Sequence, residues 1–135
     1  MAHIKNLELA DNKLQKIEFI TKYFRNLDRL QLSRNIISDI TSISSLKKLK
    51  KLNLRNNKLT ELPDELCNIS PLKGINIRYN QLTSFPEEFG KLTNLDKLEA
   101  DNNQFSCLPP GFEKLTKLKF LDLSKNKLTQ FPREI

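Results

Sequence analysis

Apolar residues return along this chain at a fixed spacing, each time around an asparagine. Asn12, Asn35, Asn57, Asn80, Asn103 and Asn126 follow one another at intervals of 23, 22, 23, 23 and 23 residues. The segment LKKLNLRNNKL (49–59) has five siblings: IKNLELADNKL (4–14), LDRLQLSRNII (27–37), LKGINIRYNQL (72–82), LDKLEADNNQF (95–105) and LKFLDLSKNKL (118–128). All fit L-x-x-L-x-L-x-x-N-x-L, with Ile, Ala or Phe replacing Leu in places. Self-similarity at such a period is the mark of a repeat architecture in which each turn supports the next.

The template has a physical reading. Leu52 and Leu54, Ile75 and Ile77, and Leu121 and Leu123 stand two apart, the spacing that sends both side chains to one face of a strand. Short parallel strands from successive turns then stack about 4.8 Å apart, none stable alone. Beyond each strand the chain bends and leaves backbone groups without ladder partners. A buried Asn offers both donors and acceptors, so a structural column of Asn12, Asn35, Asn57, Asn80, Asn103 and Asn126 satisfies them from turn to turn. Leu14, Ile37, Leu59, Leu82, Phe105 and Leu128 refill the core behind that column. The fold class expected is α/β: one solenoid domain over 1–135 of about six turns, starting near 4, 27, 49, 72, 95 and 118. Its concave side is a parallel β-sheet, and its convex side carries short helical or 3₁₀ segments.

The return halves fall into two kinds. Repeats three to six read LTELPDEL, LTSFPEEF, FSCLPPGF and LTQFPREI. Pro63, Pro86, Pro109 or Pro110, and Pro132 suit the first position of a short helical turn, where no N–H is needed. Acids follow (Asp64 and Glu65, Glu87 and Glu88) and favour the positive helix start. Repeat two has no proline, and its Ile37, Ile40, Ile43, Leu46 and Leu49 predict a tight 3₁₀-like or short helical return. Repeat one, LQKIEFITKYFRNL, is expected to be the most helical.

On these motifs the chain resembles the leucine-rich-repeat superfamily over essentially its whole length. Repeats three to six are similar to the intracellular 23-residue "L-P" class of Ras-binding and Ras-suppressor-like scaffolds. Repeat two resembles the 22-residue class named for a phosphatase-regulatory subunit. The resemblance implies a non-catalytic adaptor that binds a protein, with small GTPases or phosphatases as partners by analogy.

With the core assigned, the remaining strand positions read as a surface. Between the core leucines stand Glu8, Gln31, Asn53, Asn76, Glu99 and Asp122. Two residues earlier come Asn6, Arg29, Lys51, Gly74, Lys97 and Phe120; two later come Ala10, Ser33, Arg55, Arg78, Asp101 and Ser124. Asp11, Arg34, Asn56, Tyr79, Asn102 and Lys125 close the strands. Repeats two to four thus set Arg29, Arg34, Lys51, Arg55 and Arg78 on the sheet with no acid in those columns. Repeats five and six bring Glu99, Asp101 and Asp122. Arg pairs bidentately with carboxylates and Tyr is favoured at binding hot spots. The partner-binding residues expected are therefore Arg29, Gln31, Arg34, Lys51, Asn53, Arg55, Asn76, Arg78 and Tyr79, flanked by acidic Glu99, Asp101 and Asp122.

The net charge of +7 raises nucleic acid or an anionic membrane as the alternative. Against it, the acidic end repels a continuous phosphate backbone, and only Tyr79 and Phe120 offer stacking surface on the sheet. Catalysis is not expected. His3 is the only histidine, and three glycines at 74, 90 and 111 build no phosphate-binding loop, so no metal or cofactor is expected either. Cys67 and Cys107 stand apart and predict free thiols, and with no signal-peptide pattern or apolar run of about 18 residues a cytoplasmic setting is expected. The ends carry no visible cap. The apolar layer of Leu121, Leu123, Leu128, Phe131 and Ile135 leaves three readings open: a part of a longer chain, which is preferred, end-to-end self-association, or tolerated exposure.

Overall fold

Residues 1–131 are described by a computed structural model of the chain; Pro132 and Ile135, both given roles above, lie outside the described residues. Six three-residue strands form one parallel sheet in sequence order: β1 (Asn6–Glu8), β2 (Arg29–Gln31), β3 (Lys51–Asn53), β4 (Gly74–Asn76), β5 (Lys97–Glu99) and β6 (Phe120–Asp122). The register is strict, with Leu7, Leu30, Leu52, Ile75, Leu98 and Leu121 aligned as neighbours. Leu30, Leu52, Ile75 and Leu98 are at most 2% exposed. Alternation then sends the first and third residue of every strand to the opposite, concave face.

The asparagine column works as its chemistry predicts. Asn57 accepts the Ile37 N–H at Oδ1 (3.0 Å) and donates from Nδ2 to the carbonyls of Leu32 and Leu54 (3.0 Å each). Asn35, Asn80, Asn103 and Asn126 repeat this pattern, each reaching one turn back and one strand up its own turn. Asn12, in the first turn, is exposed and bonds only within its own turn, to the Leu9 and Ala10 carbonyls.

The convex side carries one α-helix, α1 (Glu18–Tyr23) in repeat one, then 3₁₀ turns at Thr41–Ser45, Asp64–Asn68, Glu87–Lys91 and Phe112–Lys114. Repeat one is thus the most helical, and repeat two returns through a 3₁₀ turn. The prolines sit one residue earlier than expected. Pro63 and Pro86 precede their turns with extended backbone and offer carbonyls to Leu66 (3.1 Å) and Phe89 (3.0 Å). Each proline's acceptor, rather than its missing donor, is what opens the 3₁₀ turn. In repeat five the start falls to Gly111, left-handed at φ 86.

Inside, leucine and isoleucine give way to phenylalanine in the later repeats. Phe85 stacks on Phe105 at 4.1 Å between centroids and tilts against Phe89 at 4.8 Å, while Phe89 and Phe112 run nearly parallel at 6.2 Å. Toward the last turns burial falls: Leu121, Leu123 and Leu128 are half-buried and Phe131 is exposed.

Candidate binding face on the concave sheet

The bend after each strand forces a left-handed residue in every repeat. Asp11, Arg34, Asn56, Tyr79, Asn102 and Lys125 all have φ between 52 and 60. Asn and Asp tolerate this region, whereas Arg, Tyr and Lys adopt it at a cost of about 1 kcal/mol. The same twist throws these side chains outward along the lower rim of the sheet. Tyr79 is 43% exposed there, and the Arg55 guanidinium lies 5.3 Å from its ring centroid. That contact makes a cation and an aromatic one surface feature.

Four of the candidate residues turn out to hold their own strand. The Oε1 of Gln31 accepts the Ser33 N–H (2.9 Å), and the Oδ1 atoms of Asn53, Asn76 and Asp122 accept the N–H of Arg55 (3.0 Å), Arg78 (3.1 Å) and Ser124 (3.0 Å). The bond from Ser124 holds the Asp122 carboxyl below its ordinary pKa. Each of these side chains closes a local turn on an N–H two residues on. The amide nitrogens of Asn53 and Asn76 donate to no group among the described residues.

The expected separation of a basic centre from an acidic end does not survive in space. Arg78 Nη1 donates to Glu99 Oε2 (3.1 Å), and Arg78 Nε lies 2.7 Å from Asp101 Oδ1. Neither Nε nor Oδ1 makes a hydrogen bond of good angle, so charge attraction holds that second contact. Asp101 is only 3% exposed and faces inward with the Asn102 amide on its other oxygen (2.7 Å). It anchors Arg78 and offers no acid to a partner. Periodicity placed Asp101 in an outward column, but in that column Ser33 is buried too, because the strand is already curving into the bend.

Arg34 is also occupied. It forms a bidentate pair with Asp11 (2.6 and 2.8 Å), both side chains more than half exposed, and the pair lowers the Asp11 pKa. Lys97 approaches Glu99 (3.4 Å) and the Phe120 ring (5.4 Å to the centroid). Among the described residues Arg29, Lys51 and Arg55 enter no salt bridge. These three are uncompensated cations of the strands themselves.

A groove of about 700 Å³ runs along the upper half of the sheet from Asn6 to Glu99. It is lined in part by residues just ahead of the strands: Asp28, Lys50, Lys73 and Asp96. The reading of the sequence missed this row, although its repeat-spaced charges were in view; counting only from the core leucines left it outside. The middle strands contribute Lys50, Lys51 and Lys73 and no acid, so the groove has a cationic waist. A second groove of about 570 Å³ follows the asparagine bends past Asn56, Lys58, Tyr79 and Gln104. Among the described residues no three His, Cys, Asp or Glu side chains gather to hold a metal ion, and no helix is long and apolar enough to cross a membrane.

Comparison with known proteins agrees with this geometry. No curated protein sequence matches the chain. Among solved structures, a leucine-rich-repeat protein of Leptospira interrogans is 34% identical, with a TM-score of 0.92 over 97% of this chain and 34% of its own. An internalin of Listeria monocytogenes is 26% identical, with a TM-score of 0.84 over 94% of this chain and 36% of its own. The chain therefore spans about a third of the length of each of these relatives. A family model described as a leucine-rich repeat region matches residues 3–135. The chain belongs to the leucine-rich-repeat family, whose domains serve in general as non-catalytic protein-interaction scaffolds.

Proposed function

We propose that this chain holds a protein partner on its concave sheet, across the upper groove and the Arg55–Tyr79 pair. The observation that carries this reading is the contrast between spent and unspent charge. Arg34 and Arg78 are tied to Asp11, Glu99 and Asp101, while Arg29, Lys51 and Arg55 make no salt bridge. Cations outside every internal salt bridge, beside an exposed tyrosine in a strained backbone conformation, are the residues a fold-only account leaves over. Five strand steps of about 4.8 Å give a face about 24 Å long, the scale of one protein footprint.

The nucleic-acid alternative is weakened by the same contrast, since two of the five arginines and lysines proposed for phosphate contact are neutralised in place. Two free cysteines, one exposed, fit a reducing cytoplasmic setting. Partner identity as a small GTPase or a phosphatase rests on the resemblance of the repeats alone.

The test is affinity capture with the wild-type chain beside the Arg29→Glu/Lys51→Glu/Arg55→Glu variant. Proteins retained by the wild type and lost from the variant support the reading. Retention unchanged by the three reversals, or capture dominated by nucleic acid, rejects it.

A further inference from the structure

The three glycines have three different causes. Gly111 takes a left-handed φ of 86 that other residues rarely adopt. Gly90 sits where a Cβ would lie 2.3 Å from the Gly111 carbonyl oxygen, so neighbouring backbone excludes a side chain. Gly74 has no such reason. Its φ is not positive, and a Cβ there would meet only the Lys51 Cγ at an ordinary 3.7 Å. Glycine inside a strand is less stable than alanine by about 0.5–1 kcal/mol. The fold does not ask for glycine at 74; what glycine does there is leave space, and a strand glycine of this kind marks a place where another molecule approaches closely.

The space is bordered chiefly by donors. Gly74 stands in register between Lys51 of β3 and Lys97 of β5, which are two strand steps, about 10 Å, apart. The Lys73 side chain adds a third ammonium from the groove wall. One step along the same face lie Asn53 and Asn76, paired across β3 and β4. Their Oδ1 atoms are used by the Arg55 and Arg78 N–H groups, both residues line the same groove as Gly74, and their Nδ2 groups have no partner among the described residues. Of the acids on this side of the groove, Glu99 already spends its oxygens on Arg78 and Lys97, and Asp96 stands beside Lys73 in the row ahead of the strands. The unspent groups around the notch are therefore donors and the Lys51 and Lys73 ammonium groups, and what matches them is a small acceptor-only anion.

We propose that the Gly74 notch receives an acidic side chain, Asp or Glu, from a protein partner laid across the sheet. This rests on the concave sheet being the binding face and specifies what that face selects. The carboxylate pairs with the Lys51 ammonium, with Lys73 on the groove wall beside it, and accepts from the Asn53 and Asn76 amides, while Lys97 stays with Glu99 and the Phe120 ring.

A random dodecapeptide library selected on the full chain tests it, with Gly74→Leu and the Arg29→Glu/Lys51→Glu/Arg55→Glu variant in parallel. Gly74→Leu fills the notch without changing any charge, and its thermal unfolding midpoint is expected to equal or exceed the wild type's. Wild-type binders should share one Asp or Glu position. Affinity should fall about tenfold when that residue becomes Asn or Gln, and about tenfold again on Gly74→Leu or, as a fold-neutral second variant, Lys51→Gln. Binders that lose affinity for the triple variant but ignore Gly74→Leu, or that share no acid, overturn the notch and leave the face standing. Binders indifferent to the triple variant, or no binders at all, overturn both. Tighter binding of an oligothymidylate, lost on Gly74→Leu, assigns the notch to phosphate and overturns the proposal for a protein carboxylate.

Discussion

Arg78 reaches across one strand step to place its Nε 2.7 Å from Oδ1 of Asp101, whose side chain is 5% exposed. The two residues occupy the same column of adjacent repeats, so one repeat's half-buried arginine is oriented by the next repeat's buried carboxylate. Removing Arg78 leaves the Asp101 carboxylate uncompensated in a poorly hydrated place, whereas removing Asp101 leaves Arg78 its pair with Glu99. Arg78→Ala should lower unfolding stability by about 2–3 kcal/mol, and Asp101→Ala by about 1–2 kcal/mol. The double variant should cost clearly less than their sum. Urea denaturation of the cycle measures this; additive losses would show that the pair is not coupled. Arg34→Ala, in a pair exposed on both sides, should leave the midpoint essentially unchanged.

The asparagine column predicts a position-dependent cost for one chemical change. Asn57→Ala strands the buried Ile37 N–H and two carbonyls, and should cost about 2–4 kcal/mol. Asn12→Ala removes only exposed bonds within its own turn and should cost about 1 kcal/mol or less. Equal losses in chemical denaturation would contradict the interlocking role given to the column.

The two thiols should react at very different rates. Burial first, and the Asp64 charge next, push the Cys67 thiol up to about 11, while Cys107 is exposed. Because the thiolate is the reactive form, a disulfide reagent at neutral pH should titrate one thiol promptly in the native chain and two after denaturation. Two prompt thiols would mean that the convex side opens readily at Cys67.

Acid should weaken the fold only at low pH. The Asp122 carboxyl is held below its ordinary value chiefly by its hydrogen bonds from Ser124, and Asp11 by its bond from Arg34. A carboxyl with a depressed folded-state pKa contributes stability that is complete above its unfolded value. That contribution is lost as pH falls through the lower, folded one. Denaturation midpoints should therefore be flat from pH 7 to 5 and decline below about pH 4. Asp122→Asn, which keeps an oxygen for the Ser124 N–H, should make that decline shallower. An unaltered acid limb in the variant would remove Asp122 from the account.

Much of this structure is legible in the sequence because the repeat states each rule six times. Strand register, the buried asparagines and the distinct returns of repeats one and two all follow from spacing and residue type. What escapes is whatever depends on contact between repeats. Asp101 reads as an outward acid because its column is outward where the strand begins; only the curvature at the bend turns it in. Gln31, Asn53, Asn76 and Asp122 read as free polar groups, but their first use is a backbone N–H two residues away. The left-handed backbone at Tyr79 leaves no mark in composition, since only Asp11, Asn56 and Asn102 hint at it. Gly74 shares a column with Arg29, Lys51 and Lys97, and becomes informative only once the space around its missing Cβ is known.

The central claim is that partners lie on the concave sheet. Hydrogen–deuterium exchange of the chain, free and saturated with a captured partner, measures it most directly. Protection should concentrate in 29–34, 51–56 and 74–79, with the convex turns Asp64–Asn68 and Glu87–Lys91 unaffected. Protection centred on those convex turns, with the strand segments unchanged, would contradict it.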